Sequence, residues 1–328
     1  MKLVWNRKIA SFVLLTVLVT VAAVALAGAQ PRRLVTIASG WVVGVYYPLA
    51  GAMSRIAYNA KGLNIRAAVE ATGASVANAQ LIGAGNADFA LLQNDIAYYA
   101  YNGITLSAFK GKPVRNMVGI FTIYPELVHI VATQASGVKS IRDLKGKRVA
   151  LGPQGSGTEQ NALQTLSVSG IKESDLAQAE RVDATAAAEE LKDGHVDAAF
   201  FTTGLGSAVI VDLFMSGKVV MVPIDRVPGE ALKQEYPFYT LEKIPAHTYR
   251  GQDREVLTPA VLAMLVARKD LPVDLVYKFT RAIFDNLAQF HTAHAAAKSL
   301  TLPTAQNGMP VPLHPGAEKF YREKGMVR

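Results

Sequence analysis

With 328 residues, 50% of them hydrophobic and 18% charged, the chain can form two domains with real cores, which excludes a disordered chain. It has no cysteine, which excludes disulfides and thiol chemistry. The formal net charge of +8 is scattered, with no basic stripe interleaved with aromatics, which excludes a nucleic-acid footprint.

Residues 1–29 read as a secretory signal peptide, with an uncleaved membrane anchor as the alternative. Lys2, Arg7 and Lys8 precede the apolar run Ile9 to Leu26, and small residues follow up to Ala29. Cleavage is expected after Ala29 or Ala27, and the mature protein is expected in the periplasm. No second apolar run of spanning length follows.

Next, "LVTIASGWVVGVYYPLAGAMSRI" reads strand, glycine loop, helix. Trp41, Tyr46 and Tyr47 stand in that loop, either to stack on a small ligand or to pack beneath it. In "EATGASVANAQL", Thr72, Ser75 and Asn78 are hydrogen-bonding candidates in front of a helix, with capping as the alternative role. "LIGAGNADFALLQND" then gives a helix end, a turn and a buried strand. Gln93, Asn94 and Asp95 follow that strand at its carboxyl end, where α/β sheets hold ligands. Asp95 there either takes a ligand ammonium or caps the next helix.

"NMVGIFTIYPELVHIVAT" holds two strand-like runs broken at Tyr124-Pro125, the expected first crossing between lobes. "RVALGPQGSGTEQNALQTL" repeats the strand, glycine loop and helix of the first segment. Here Thr158 stands where a phosphate loop needs lysine, so no nucleotide is expected. What remains is a neutral cradle of N–H groups from Gly155 to Thr158, with the hydroxyls of Ser156 and Thr158. It suits a carboxylate at a helix start. Ser156 or Thr158 as the N-cap is compatible with that role.

"LKDGHVDAAFFTTG" places Thr202 and Thr203 at a strand end. It also repeats a pattern, Gly85-Asp88-Ala90 against Gly194-Asp197-Ala199, each downstream of its glycine loop. A second crossing is expected within Gly251 to Pro272. After it come an amphipathic helix from Val273 to Lys298 and a short last helix from Ala317 to Lys324.

Strands alternating with helices, repeated once, predict an α/β fold of two Rossmann-like lobes joined by two crossing segments. Residues 30–124 and 251–328 form lobe 1, and residues 125–250 form lobe 2. No G-x-S-x-G is present, and the S-x-x-K strings lack their companion motifs. His291 and His294 have no evident third ligand, so no metal, cofactor or catalysis is expected.

Together, "SGWVVGVYYPLAGAMSRI", "VEATGASVANAQLIGAGNADFALLQNDIAYYAYNG", "ALGPQGSGTEQNA" and "VDAAFFTTG" resemble the TAXI family of solute-binding proteins of TRAP transporters. "IPAHTYRGQ" and "DLPVDLVYKFTRAIFDN" fit as well, so the likeness runs from about Leu34 to the C-terminus. It implies a two-lobed, type II-like periplasmic binding protein that closes on a small carboxylate or amino acid (glutamate, glutamine or a 2-oxoglutarate-like dicarboxylate). The ligand would pass to a membrane TRAP permease, usually driven by a sodium gradient. By motif position the implied contacts are Tyr46, Tyr47, Thr72, Ser75, Asn78, Gln93, Asp95, Ser156, Gly157 and Thr158. Trp41 and Val43 replace a small residue and a hydroxyl that are common in the family loop, and Asn94 replaces a frequent serine. A sensory module coupled to a kinase and an exported enzyme on the same scaffold are the alternatives.

Overall fold

The computed structural model describes residues 31–326; the signal-peptide reading of residues 1–29 lies outside the described residues. Among the described residues no helix is long and apolar enough to cross a membrane.

The chain folds into one ten-stranded mixed sheet clothed by helices. In chain order the first part is β1 (Arg33–Ala38), α1 (Tyr46–Asn59), β2 (Ile65–Glu70), α2 (Ser75–Ala84), β3 (Phe89–Gln93), α3 (Asn94–Asn102) and β4 (Met117–Thr133). Then come β5 (Arg148–Ala150), α4 (Gly157–Val168), β6 (Gln178–Glu180), α5 (Ala184–Asp193), β7 (Ala198–Thr203), α6 (Ala208–Met215) and β8 (Val219–Met221). The last part is α7 (Arg226–Glu235), β9 (Thr240–Ile244), β10 (Val256–Arg268), α8 (Val273–Asp285), α9 (Leu287–His291) and α10 (Pro315–Glu323). The sheet order is β2-β1-β3-β10-β4-β7-β5-β6, with β8 on β4 and β9 on β10.

This order is two α/β lobes sharing their middle strands. β1 and β3 are parallel in the first, and β5, β6 and β7 are parallel in the second. β4 and β10 run antiparallel to each other and pass through both. The first part of β4 pairs only with β10, whereas from Leu127 onward it also pairs with β7. β10 likewise pairs with β9 up to Ala260 and with β3 from Ala263.

Side-chain alternation explains why both faces are covered. Ile37 of β1 packs with Leu49, Met53, Phe279 and Phe320, beneath α1, α8 and α10. The next residue, Ala38, packs on the opposite face with Val76, Ile82 and Ile96, beneath α2 and α3. In the second lobe Phe201 faces Leu191 and Ile210, whereas Phe200 faces Ala162 and Leu166. Strands buried on both faces read as continuous apolar runs, as "FALL" and "AAFF" do.

The internal repeat has a mechanical cause. Gly85 and Gly194 end α2 and α5 in the left-handed conformation, at φ 76° and 74°. The aspartate that follows ties the next strand to its neighbour. Asp88 accepts the Thr36 backbone N–H at 2.9 Å, and Asp197 accepts that of Arg148 at 2.9 Å. Each is also paired with an arginine, Arg268 and Arg148 respectively.

Three expectations are corrected. β4 is not broken at Tyr124-Pro125 but runs on as one strand. Pro125 lacks an N–H, yet it sits just beyond a register irregularity against β10 and before the β7 ladder begins, so no ladder bond is lost on that side. The helix expected to reach Lys298 ends at Asp285. There Asn286 adopts φ −123° and turns its side-chain amide back to the Ala282 carbonyl at 2.8 Å. The last helix starts slightly earlier than expected, with Pro315 in its first turn.

Replacing Asp88 with alanine removes a charge-assisted bond to a backbone N–H, so it is expected to lower the unfolding free energy by about 1.5–3 kcal/mol. Urea titration measures this, and an unchanged midpoint would refute the tie.

Candidate functional site

The loops at the carboxyl ends of the strands converge on one small cavity where β4 crosses between lobes. Gly40, Trp41, Gly44, Val45, Tyr46, Ala74, Ser75 and Gln93 come from the first lobe. Gly157, Thr158, Thr202 and Thr203 come from the second, and Glu126 of β4 lies on the wall between them. The cavity measures about 30 Å³. Since a water needs roughly 10–15 Å³ on this measure, only a few waters fit. In this arrangement the two lobes leave no room here for a larger molecule.

Each wall has a local cause. Gly157 opens α4, and the Ser156 side chain caps that helix by accepting the Glu159 backbone N–H at 3.0 Å. Ser156 is thereby spent on the helix and is not on the cavity wall. The Gly155 N–H is also taken, by the Glu159 carboxylate. The anion cradle expected from Gly155 to Thr158 therefore contracts to Gly157 and Thr158. Thr158 accepts the Thr202 backbone N–H through Oγ1 at 3.3 Å. A Cβ at Gly157 would stand 2.0 Å from Gln93 Oε1, so glycine is what lets the two lobes meet here.

On the opposite wall, Ala74 takes φ 69° and ψ −144°, a conformation costly for a residue with a side chain. Thr72 and Asn78 hold this turn. Thr72 Oγ1 accepts the Ala74 N–H at 3.1 Å and donates to Asn78 Oδ1 at 2.7 Å. The Asn78 amide donates to the Ser39 and Leu91 carbonyls. Both residues, expected as ligand contacts, build the turn that presents Ala74 and Ser75.

Tyr47 is half-buried and off the wall. Of the expected residues, the structure gathers Trp41, Tyr46, Ser75, Gln93, Gly157, Thr158, Thr202 and Thr203. It does not bring Tyr47, Thr72, Asn78, Asp95 or Ser156 to the cavity. Trp41 and Val43 also pack against the hydrophobic cluster of the second lobe.

Three buried polar atoms on the wall have no partner within the protein: Trp41 Nε1, Gln93 Oε1 and Thr202 Oγ1. Leaving such groups dry costs about 1–3 kcal/mol each, so a ligand that satisfies them is strongly favoured. The wall carries no Lys, Arg or His.

Glu126 escaped the sequence reading, although an acid within the apolar run of a strand is itself a visible signal. Its Oε2 accepts from the Tyr46 hydroxyl at 2.7 Å, and its Oε1 from that of Tyr124 at 3.0 Å. Burial drives its pKa up to about 8, against the lowering effect of the two tyrosine bonds.

Beside the cavity a second buried network joins the lobes. Asn161 Nδ2 of α4 donates to Asp95 of α3 at 3.1 Å and to the Tyr239 hydroxyl at 2.6 Å. Tyr239 donates to Gln164 Oε1 at 2.7 Å, and the Gln164 amide reaches the Tyr99 hydroxyl at 3.2 Å. Phe238 adds ring contacts with Tyr98 and Tyr99 at 4.8 and 5.9 Å. Asp95 is off the cavity wall; it stands in the first turn of the next helix, α3, where its Oδ1 accepts the Ile96 backbone N–H at 2.8 Å, and its Oδ2 is the first-lobe end of a latch. Burial without a cation raises its pKa to about 7.

A family model described as NMT1-like matches residues 37–325. The chain belongs to the NMT1-like family. The solved structures similar to this NMT1-like chain share its fold at low identity. PhnD1 of Prochlorococcus marinus, solved with methylphosphonate, is 11% identical with a TM-score of 0.57, over 90% of this chain and 99% of that one. The binding protein of a phosphonate ABC transporter from Pseudomonas aeruginosa is 11% identical with a TM-score of 0.53, over 81% and 79%. The alkanesulfonate-binding protein SsuA of Xanthomonas axonopodis, bound to MOPS, is 13% identical with a TM-score of 0.51, over 90% and 85%. The fold is that of solute-binding proteins.

Because the pKa of Asp95 is raised on folding, its burial costs nothing below the ordinary carboxylate pKa, and the cost accrues as pH rises to about 7. Asp95→Asn is therefore expected to match the wild type near pH 4 and to melt higher at pH 8, with the Asn161 amide turned over to present its unpartnered Oδ1. Melting curves across that range test this; a variant less stable at pH 8 would refute it.

Proposed function

We propose that this protein is an extracytoplasmic receptor that captures a small carboxylate or amino acid between its lobes and hands it to a membrane permease. The unpartnered Trp41 Nε1, Gln93 Oε1 and Thr202 Oγ1 on the cavity wall carry this reading. A ligand admitted between parted lobes and completing groups on both walls would be held better by the two together than by either alone, which is the differential affinity that closure requires. The N-terminus of α4 at Gly157 and that of α2 at Ser75 face the cavity from opposite lobes, and helix starts favour a carboxylate. Without a basic side chain on the wall, those dipoles and neutral donors are what would hold the anion.

In this reading the hinge lies where β4 and β10 pass between lobes, near Tyr124–Glu126 and Ala260–Ala263. The second boundary expected at residue 251 then moves to about residue 260, because Val256 and Ala260 pair with β9 and pack with the second-lobe cluster. The periplasm is the proposed location, from the leader-like residues 1–29 and the family's fold. Delivery to a TRAP permease is supported by the sequence resemblance of the glycine loops to the TAXI family. No catalytic role is proposed.

A thermal-shift screen with L-glutamate, L-glutamine and 2-oxoglutarate is expected to raise the melting temperature of the wild type. At a ligand concentration of 100 Kd the stabilisation is about 2.7 kcal/mol. Gly157→Ala places a methyl group against Gln93 and is expected to weaken binding at least tenfold, about 1.4 kcal/mol. A flat screen across the three compounds would refute the carboxylate reading.

A further inference from the structure

We infer that Glu126 determines ligand specificity: it pairs with a cationic group on the ligand and releases its own proton when the lobes close on it. This rests on the cavity being the ligand site, as proposed above. The geometry comes from position. Glu126 is 3% exposed, lies on the strand that both lobes share, and is the one acid on a wall that offers no cation. Its two oxygens accept from Tyr46 and Tyr124, which leaves lone pairs on an ionised carboxylate free for a further donor.

The groups around it do not supply that donor as a charge. Tyr46 reaches it from α1 and Tyr124 from its own strand, and both stay neutral because burial raises their pKa values. Asp95, on α3, opposes its ionisation through space. Gln93 supports its ionisation with an amide hydrogen bond. His294, on the turn packed against β4, is driven towards its neutral form by burial. The flanking strands β7 and β10 present Thr202, Thr203 and Val261 at this level. A buried carboxyl in such surroundings keeps its proton at neutral pH. A ligand ammonium reverses that balance. The carboxyl O–H bond breaks, the proton leaves to solvent, and the carboxylate pairs with the ammonium; nothing is oxidised or reduced.

The sign follows from the two states. The free protein holds the proton below about pH 8 and the complex does not, so affinity rises with pH, by up to about tenfold per unit, and levels off above about 8.

Calorimetry on the mature chain tests this with L-glutamine and with glutaramate, which is L-glutamine without its α-ammonium. Runs at about pH 6.5 in two buffers of different ionisation enthalpy count the protons. L-Glutamine is expected to bind with release of close to one proton, and glutaramate roughly 100-fold more weakly, the cost of removing one partner of a buried charged pair. Glu126→Gln keeps both tyrosine bonds available. It is expected to abolish the proton release and weaken L-glutamine while leaving glutaramate unchanged. A purely structural role would weaken both probes alike. If the variant fails to fold, the wild-type proton count and the comparison of the two probes decide the matter. L-Glutamine bound without proton release, or glutaramate bound equally well, overturns the inference, as does binding of 2-oxoglutarate with no binding of L-glutamine. Binding of none of the three overturns the receptor reading with it.

Discussion

Two strands shared by both lobes are the constraint on which the rest of the structure depends. β4 and β10 pair along most of their lengths, from Leu127 opposite Ala260 to Met117 opposite Arg268. Every other strand attaches to one of these two or builds outward from them. Because β4 takes β7 only from Leu127 onward, the segment just before it has one neighbour instead of two. That free side is where the loops from both lobes converge, and where a proline and an acid can be tolerated in a central strand. The proposed hinge and the cavity wall consequently share the same few residues.

The electrostatics of the cavity follow from that placement. A carboxyl on a shared strand is buried whenever the lobes close, with tyrosines as its neighbours and no compensating base. The second buried acid, Asp95, meets an asparagine from the opposite lobe and again no base. Closure therefore buries two acids, and each is held towards its neutral form by desolvation. If the lobes part as proposed, protonation is part of the closing equilibrium, because an ionised acid regains its hydration when it is uncovered. Orphaned donors and acceptors on the wall add a complementary bias, relieved only by water or by a ligand.

Much of the fold was legible along the chain. Apolar runs such as "FALL" and "AAFF" announced strands buried on both faces. The Gly-x-x-Asp-x-Ala repeat announced two equivalent units, since both aspartates perform the same tie to a neighbouring strand. Where the reading missed, a neighbour had overridden the local signal. Pro125 suggests a break, but it falls where no β7 ladder bond is required. The amphipathic spacing after Val273 continues past Asp285, but Asn286 finds a better partner in the Ala282 carbonyl than in the helical ladder.

The candidate site divides in the same way. Composition and motif order alone determined the α/β class and the two-lobe plan, and they excluded a phosphate loop, because a missing lysine is a local fact. The loops that bear the site were also local, because glycine and hydroxyl residues at strand ends have few other uses. Which of those hydroxyls face the cavity was decided only by the tertiary structure. Thr72 and Ser156 carry the same hydroxyl chemistry as Ser75 and Thr158, and all four accept a backbone N–H; they differ in whether the fold sets them on the cavity wall. What Glu126 and Asn161 meet was decided only when strands and helices remote in sequence were brought together. A buried polar side chain takes its role from the partners that folding leaves it, and the chain order does not name those partners.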